Sequence, residues 1–179
     1  AERTVVGTVQ CNAGLDATLK KAGGQLVRTE VGDRPVTRRM FKDGLNFGGE
    51  PSGHFVFGDC LPTGDGLIAA LQLLNIRLGA GCPLAQLRKA VSLFPQALAN
   101  LQVNEKLPLD SLPVFQEELA GIVRLLAGEG RVLVRYSGTE PKIRLLAEGR
   151  TEALARQTLE SLLDLVRNYL NTVDNAGGK

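Results

Sequence analysis

Apolar residues in the first half of the chain alternate between short runs typical of strands and the wider spacing typical of helices. Strands are predicted at residues 4–9, 25–29 and 54–57. Helix starts are predicted at Asn12, Asp33, Asp65 and Pro83, and the first, second and fourth of these helices are expected to end near Lys21, Lys42 and Phe94. The third helix has an apolar face made of Leu67, Leu71, Leu74 and Leu78. Such alternation indicates a layered α/β domain.

The second half groups its strands together. Strands are predicted at residues 97–103, 131–135 and 143–148, with one helix around 115–126 and a long amphipathic helix over 159–170. This order favours a small α+β domain with an antiparallel sheet that is covered on one face. We place the boundary at Phe94-Pro95, which gives domains at residues 1–94 and 95–179, the first expected to be incomplete at its start. The tail at 174–179 is expected to fray.

Composition excludes several classes of function. A net charge of +2 is too small to indicate binding to nucleic acid or to an anionic membrane, and no apolar run reaches the roughly 18–20 residues that span a bilayer. Three scattered cysteines without a C-x-x-C pair, and a single histidine, argue against a zinc site. We expect these thiols to be buried and the protein to be cytoplasmic, because unpaired cysteines suit a reducing compartment.

A glycine-rich segment, Gly48 to His54, is the first candidate site. Consecutive glycines allow a close approach of the backbone to a ligand. Between them, the carboxylate of Glu50 and the hydroxyl of Ser52 can accept and donate hydrogen bonds to neighbouring hydroxyls of a sugar, and His54 could hold or relay a proton. A glycine-rich turn between two strands is the alternative interpretation.

A second candidate lies between two predicted strands, at residues 135–144. Arg135 can present a planar fork to phosphate, and the hydroxyls of Ser137 and Thr139 flank Gly138, so donors can converge on an anion. Two further cations follow, Lys142 and Arg144. A tight hairpin stiffened by proline remains the alternative.

Three motifs in this order resemble the α-D-phosphohexomutase family. Gly49-Glu50-Pro51-Ser52-Gly53-His54 matches the sugar-binding loop of its third domain, Thr63-Gly64-Asp65-Gly66 the helix start that follows, and Arg135-x-Ser137-Gly138-Thr139-Glu140-Pro141 the phosphate loop of its fourth domain. The resemblance covers nearly the whole chain. It implies a layered α/β domain followed by a small TBP-like α+β domain. Val31-Gly32-Asp33-Arg34 resembles the branch that acts on hexosamine phosphates, although Pro35 and Pro51 depart from its usual residues.

The resemblance implies an activity and assigns roles. A full-length relative would interconvert the 6-phosphate and the 1-phosphate of glucosamine through a phosphoserine enzyme and a bisphosphate intermediate. The implied sugar-binding residues are Glu50 and Ser52, and the implied phosphate-binding residues are Arg135, Ser137, Gly138 and Thr139. Asp33, Arg34 and Arg144 would support the site, and His54 is a candidate for a role near the transferred group.

The family's catalytic serine loop and its run of aspartates that binds Mg²⁺ do not occur in this sequence. We therefore expect Mg²⁺ only in the full-length enzyme, no metal bound by this chain, and no turnover by this chain alone. The expected partners are a hexosamine phosphate and the missing N-terminal domains, with no nucleic acid and no membrane.

Three alternatives remain open. The full-length protein could be a phosphomannomutase or a phosphoglucomutase of the same family. The chain could instead be a stand-alone module that binds phosphosugars. Binding of nucleic acid through Arg124, Arg131, Arg135, Lys142 and Arg144 is disfavoured by the acidic residues among them and by only eight aromatic residues, and we interpret Arg124 and Arg131 as part of a solvated face.

Overall fold

The computed structural model describes residues 3–170 and 172–173, and the chain divides into two units, Ala1–Leu93 and Phe94–Lys179. The tail that was expected to fray lies outside the described residues. Each unit has its own four-stranded sheet and its own group of buried apolar side chains.

The first unit is a layered α/β structure, as predicted. Its elements are β1 (Thr4–Thr8), α1 (Ala13–Lys21), β2 (Gln25–Thr29), α2 (Asp33–Asp43), β3 (Phe47–Gly49), β4 (Phe55–Phe57), α3 (Gly66–Ala80) and the short α4 (Leu84–Leu87), followed by a 3-10 turn at Arg88–Ala90. The sheet order is β2-β1-β3-β4. β1 is parallel to both β2 and β3, and β4 closes the sheet as an antiparallel hairpin with β3.

Two helix starts in this unit are capped by the residues predicted from sequence. The side chain of Asn12 accepts a hydrogen bond from the backbone N of Gly14 at 2.8 Å, and Asp65 accepts from the N of Leu67 and Ile68 at 2.8 and 2.9 Å. These bonds satisfy backbone donors that have no partner inside the helix.

The predicted cap at Asp33 is wrong. Gly32 occupies the cap position of α2 with φ +126°, a backbone conformation that favours glycine, and Asp33 is the first helical residue. Its carboxylate accepts from the neighbouring N of Arg34 at 2.8 Å. The helix predicted to extend from Pro83 to Phe94 is also wrong in length, because it ends at Leu87 and continues only as a 3-10 turn to Ala90.

The core of the first unit is small. Val6, Val36, Met40 and Val56 are buried together. Gly48, expected in a loop, lies in β3, where a Cβ would approach the Sδ of Met40 to 2.7 Å. Glycine at this position therefore lets α2 pack directly on the sheet.

The apolar face predicted for α3 exists but is not covered by the described residues. Leu67, Leu71 and Leu78 are 79%, 66% and 70% exposed. Among the residues described, no single helix is long and apolar enough to cross a membrane; only the bent pair Gly66–Ala80 and Leu84–Ala90 meets the length and composition required. The expectation of buried thiols is confirmed only for Cys11, since Cys60 is exposed and Cys82 is half-buried.

The second unit is the α+β structure predicted, with an antiparallel sheet. Its elements are β5 (Gln96–Val103), a 3-10 turn (Leu109–Ser111), α5 (Pro113–Leu125), β6 (Gly130–Tyr136), β7 (Lys142–Gly149), α6 (Glu152–Tyr169) and β8 (Thr172–Val173). The sheet order is β6-β7-β5-β8, and every pair is antiparallel. One sheet face packs on α6, where Ile143, Leu145 and Ala147 of β7 join Phe115 and Leu162 in the core.

Residues on the other face of this sheet form three rows across the strands, because side chains alternate along a strand. Arg131 lies opposite Glu148, Leu133 opposite Leu146, and Arg135 opposite Arg144. Glu148 is fully buried, and its carboxylate accepts from Arg131 Nε and from Gln96 Nε2, each at 2.5 Å. The interpretation of Arg131 as a solvated surface residue is therefore wrong.

Arg131→Met is expected to destabilise the second unit by about 3 kcal/mol, because it leaves a buried carboxylate without its counter-charge. Both tyrosines of the chain, Tyr136 and Tyr169, lie in this unit, so urea unfolding followed by tyrosine fluorescence reports its stability. The matched control is Arg156→Met, which breaks an ion pair with Glu152 whose side chains are both 71% exposed. The control should cost less than about 1 kcal/mol. Equal effects of the two substitutions would contradict a structural role for the buried pair.

Candidate functional site

The first candidate loop connects the two strands of the β3–β4 hairpin. The N of Glu50 donates to the O of His54 at 2.9 Å, and the N of Gly53 donates to the O of Glu50 at 3.0 Å. Gly53 has φ +91°, so this turn requires glycine. The hairpin leaves Ser52 exposed and Glu50 half-buried.

The Glu50 side chain joins this loop to the start of α2. Its Oε1 accepts a hydrogen bond from the backbone N of Gly32 at 2.9 Å, and the described residues provide no hydrogen bond to its Oε2. The contact brings the loop next to the segment that carries Asp33 and Arg34, both exposed. The structure therefore places these three candidate residues in one region of the first unit.

His54 packs against the segment that precedes α3. A Cβ on Gly64 would lie only 2.0 Å from the Nε2 of His54, so the ring rests directly on the Gly64 backbone. This Nε2 is buried and has no hydrogen-bond partner in the described part of the chain. A buried nitrogen without a partner is energetically costly.

The second candidate loop connects β6 and β7. The turn is closed by hydrogen bonds from the N of Ser137 to the O of Lys142 and from the N of Lys142 to the O of Glu140, each at 2.8 Å. Ser137 is only 3% exposed, whereas Gly138 and Thr139 at the tip are exposed. The tip can therefore present backbone and hydroxyl donors to an anion.

Cations surround this turn. Arg135 and Arg144 are opposite each other on the same sheet face, and within the described residues Arg135 makes no hydrogen bond and no ion pair. The Nη2 of Arg144 donates to Ser137 Oγ at 3.2 Å and to Glu140 Oε2 at 3.1 Å. Two arginines beside a buried hydroxyl and exposed loop donors suit a phosphate group.

Lys106 also belongs to this cluster, and the sequence analysis missed it. Its Nζ donates to the backbone O of Ser137 at 2.7 Å. Lys106 lies 31 residues away in the chain, in the segment after β5, and no motif connects it to the loop. Only the pairing of β5 with β7 brings the two segments together.

The charges of the cluster act on the carboxyl group of Glu140. The hydrogen bond from Lys142, at 2.7 Å, and then the charge of that ammonium group hold the pKa of Glu140 below its ordinary value, and Arg144 adds to the effect. Next to the loop, burial raises the pKa of Tyr136, with a contribution from the negative charge of Glu105. Glu140 is therefore ionised and Tyr136 neutral at pH 7.

The two loops carry no metal-binding cluster among the residues that the structure describes. No group of three or more His, Cys, Asp or Glu residues that could hold a metal occurs among the residues that the structure describes. The residues present do not fit a Mg²⁺ site, which requires several carboxylate or phosphate oxygens. A cleft of 690 Å³ lies between α2 and β4, and Arg34 is the candidate residue that lines it.

Gly64→Ala is expected to displace the His54 ring and to destabilise the first unit by about 1–3 kcal/mol, because the new methyl group overlaps Nε2. His54 is the only histidine, so its ring signals in ¹H–¹³C NMR spectra are unambiguous. Gly66→Ala is the matched control, since a Cβ there meets no atom within 4 Å. Ring signals that are equally unchanged in both variants would contradict the packing of His54 on Gly64.

Comparisons with known proteins agree with these motifs. Residues 1–94 match the family description "Phosphoglucomutase/phosphomannomutase, alpha/beta/alpha domain III", and residues 98–165 match "Phosphoglucomutase/phosphomannomutase, C-terminal domain". A phosphoglucosamine mutase of Anaeromyxobacter sp. (strain Fw109-5) is 45% identical over 95% of this chain, and one of Anaeromyxobacter dehalogenans (strain 2CP-C) is 47% identical over 95%. The chain spans only 36% and 37% of these relatives.

Solved structures show the same fold. An Aspergillus fumigatus N-acetylphosphoglucosamine mutase superposes with a TM-score of 0.79 at 20% identity, over 92% of this chain and 38% of that one. The same enzyme in complex with GlcNAc-6P and magnesium gives a TM-score of 0.76 at 19% identity, over 92% of this chain and 41% of that one. Because two consecutive family domains match almost the whole chain in order, the resemblance is confirmed, and this chain belongs to the phosphoglucomutase/phosphomannomutase family, the α-D-phosphohexomutases.

Proposed function

We propose that this chain is the sugar- and phosphate-binding C-terminal part of a cytoplasmic phosphoglucosamine mutase. The full-length enzyme would interconvert glucosamine 6-phosphate and glucosamine 1-phosphate through a phosphoserine and a bisphosphate intermediate. The observation that carries the proposal is the cationic turn between β6 and β7, where Arg135 and Arg144 flank the buried hydroxyl of Ser137. The names of relatives at 45% and 47% identity support the choice of hexosamine.

The turn would hold the phosphate that is not transferred. Arg135 has no partner among the described residues, so its guanidinium can bind an incoming anion without breaking an existing ion pair. Ser137, Gly138 and Thr139 would add donors from the turn. Charge-assisted hydrogen bonds contribute about 1.5–3 kcal/mol each, so a few of them retain a phosphate dianion.

The hairpin of the first unit would orient the sugar ring. Oε2 of Glu50 remains available to accept from a sugar hydroxyl, while its Oε1 is held by Gly32. Ser52 is exposed at the turn and can bind a neighbouring hydroxyl. His54, with its unpartnered Nε2, would contact a group near the transferred phosphate, and Asp33 and Arg34 would support the same region.

Phosphoryl transfer itself would depend on the part of the protein that this chain does not span. That part would supply the serine and the ligands of Mg²⁺, which would neutralise charge on the transferred phosphoryl group. It would also cover the apolar face of α3, where Leu67, Leu71 and Leu78 are mostly exposed. The missing N-terminal domains are thus the proposed protein partner of this chain.

A titration of the isotope-labelled chain with glucosamine 6-phosphate tests the binding roles. Backbone amide shifts are expected at Ser137, Gly138 and Thr139, and Arg135→Ala should abolish them. Arg124→Ala is the matched control, because it removes the same charge from an exposed position on α5. A site that lacks half of its contacts is expected to bind near 1 mM, about −4 kcal/mol, so millimolar ligand is required.

Two further titrations, with inorganic phosphate and with mannose 6-phosphate, distinguish recognition of the sugar from recognition of the phosphate. Shifts at Glu50 and Ser52 should occur with the phosphosugar and not with inorganic phosphate. Mannose 6-phosphate should shift the Ser137 turn equally and the Glu50 hairpin less. No shift at the turn with any ligand, or an equal loss in the Arg124→Ala control, would contradict the proposed phosphate site.

The chain alone is expected to turn over no substrate. Its described residues hold neither a metal-binding cluster nor a serine placed in the family's catalytic loop. The measurement is a coupled assay of glucosamine 1-phosphate formation with the purified 179-residue chain, Mg²⁺ and a hexose bisphosphate activator. A metal-dependent rate that disappears in the Arg135→Ala variant would overturn this expectation.

A further inference from the structure

Ser137 has an unusual combination of burial and hydrogen bonding. The residue is 3% exposed, and its Oγ accepts from Arg144 Nη2 at 3.2 Å and, at a long 3.4 Å, from the N of Glu140. A hydroxyl has two acceptor lone pairs and one donor proton. Both lone pairs are therefore engaged, and the proton has no acceptor among the described residues.

The arginine that fixes this hydroxyl is itself fixed by Glu140. Arg144 Nη2 carries two N–H groups, and the second binds Glu140 Oε2 at 3.1 Å. Oε1 of the same carboxylate accepts from Lys142 Nζ at 2.7 Å, which holds Glu140 over the turn. Because Arg144 lies opposite Arg135, its guanidinium would otherwise be repelled from β6, the strand that precedes Ser137.

We propose that Glu140 is a positioning residue that acts through Arg144 to make the Ser137 hydroxyl a hydrogen-bond donor to the ligand. This role rests on the proposed function, since it concerns the same phosphate-binding turn. Phosphate oxygens are acceptors, so a hydroxyl whose own acceptor sites are filled is preorganised for them. Lys106 Nζ donates to the backbone O of Ser137 at 2.7 Å and so helps to fix the backbone that carries this hydroxyl.

The proposal makes a prediction opposite to that of simple electrostatics. Glu140 is a negative charge beside an anion site, and removing a like charge strengthens binding when charge alone matters. Glu140→Gln keeps the shape of the side chain but removes the charge and one of the two acceptor oxygens. A positioning role requires that this substitution weakens the binding of phosphate, by about fivefold, the value of one hydrogen bond.

The test measures dissociation constants of the 179-residue chain for glucosamine 6-phosphate and for inorganic phosphate by NMR titration. Wild type, Glu140→Gln, Ser137→Ala and the double variant form a cycle. If Glu140 acts through the Ser137 hydroxyl, Glu140→Gln weakens binding about fivefold in the wild-type background and no longer weakens it in the Ser137→Ala background.

Each possible result either supports or overturns the positioning role of Glu140. Unchanged or tighter binding in Glu140→Gln overturns the positioning role, and equal losses in both backgrounds overturn the route through Ser137. Wild-type chain that binds neither ligand, or binding that Arg135→Ala does not weaken, overturns the proposed phosphate site itself. The Glu140 side chain is 42% exposed, so the fold should survive, which thermal unfolding checks.

Arg144→Lys, which can keep an ion pair but lacks the planar fork, gives a second test and is also expected to weaken binding.

Discussion

Two arginines on adjacent strands, Arg135 and Arg144, lie directly opposite each other, and such a pairing of like charges is unfavourable. The register that imposes it is fixed by the other face of the sheet. Ile143 and Leu145 of β7 are buried against α6, and a slip of one residue would expose them and bury Arg144. The apolar core therefore holds two cations together that would otherwise separate, at the place where the β6–β7 turn presents its donors.

In the first unit, close approach of the backbone to neighbouring side chains brings the candidate residues together. Gly48 lets α2 lie on β3, and Gly64 lets His54 rest on the segment before α3. The carboxylate of Glu50 then joins the β3–β4 hairpin to Gly32 at the start of α2. In both units, strand pairing fixes the two ends of the loop that carries the candidate residues. In the first unit, the packing of α2 on the sheet adds to this.

Local signals in the sequence predicted much of this structure. The caps at Asn12 and Asp65 are correct, because a side-chain oxygen two or three residues from a free backbone N–H needs no distant partner. The prediction of a cap at Asp33 was wrong because Gly32 occupies the cap position with a positive φ, which residue preferences do not reveal. Lys106 was missed for a different reason, since its contact with Ser137 depends on the pairing of strands that are distant in sequence.

The different partners of Arg131 and Arg135 could not be predicted from the sequence. The two arginines are four residues apart on β6, so they lie on the same face of one strand. The motif that follows Arg135 indicates its role, but nothing in the local sequence predicts a buried partner for Arg131. The strand register places the fully buried Glu148 opposite Arg131, and it places Arg144 opposite Arg135. One guanidinium is thereby committed to neutralising a buried carboxylate, and the other retains its capacity to bind an anion. The difference in role between two identical side chains comes from the residues opposite them on β7.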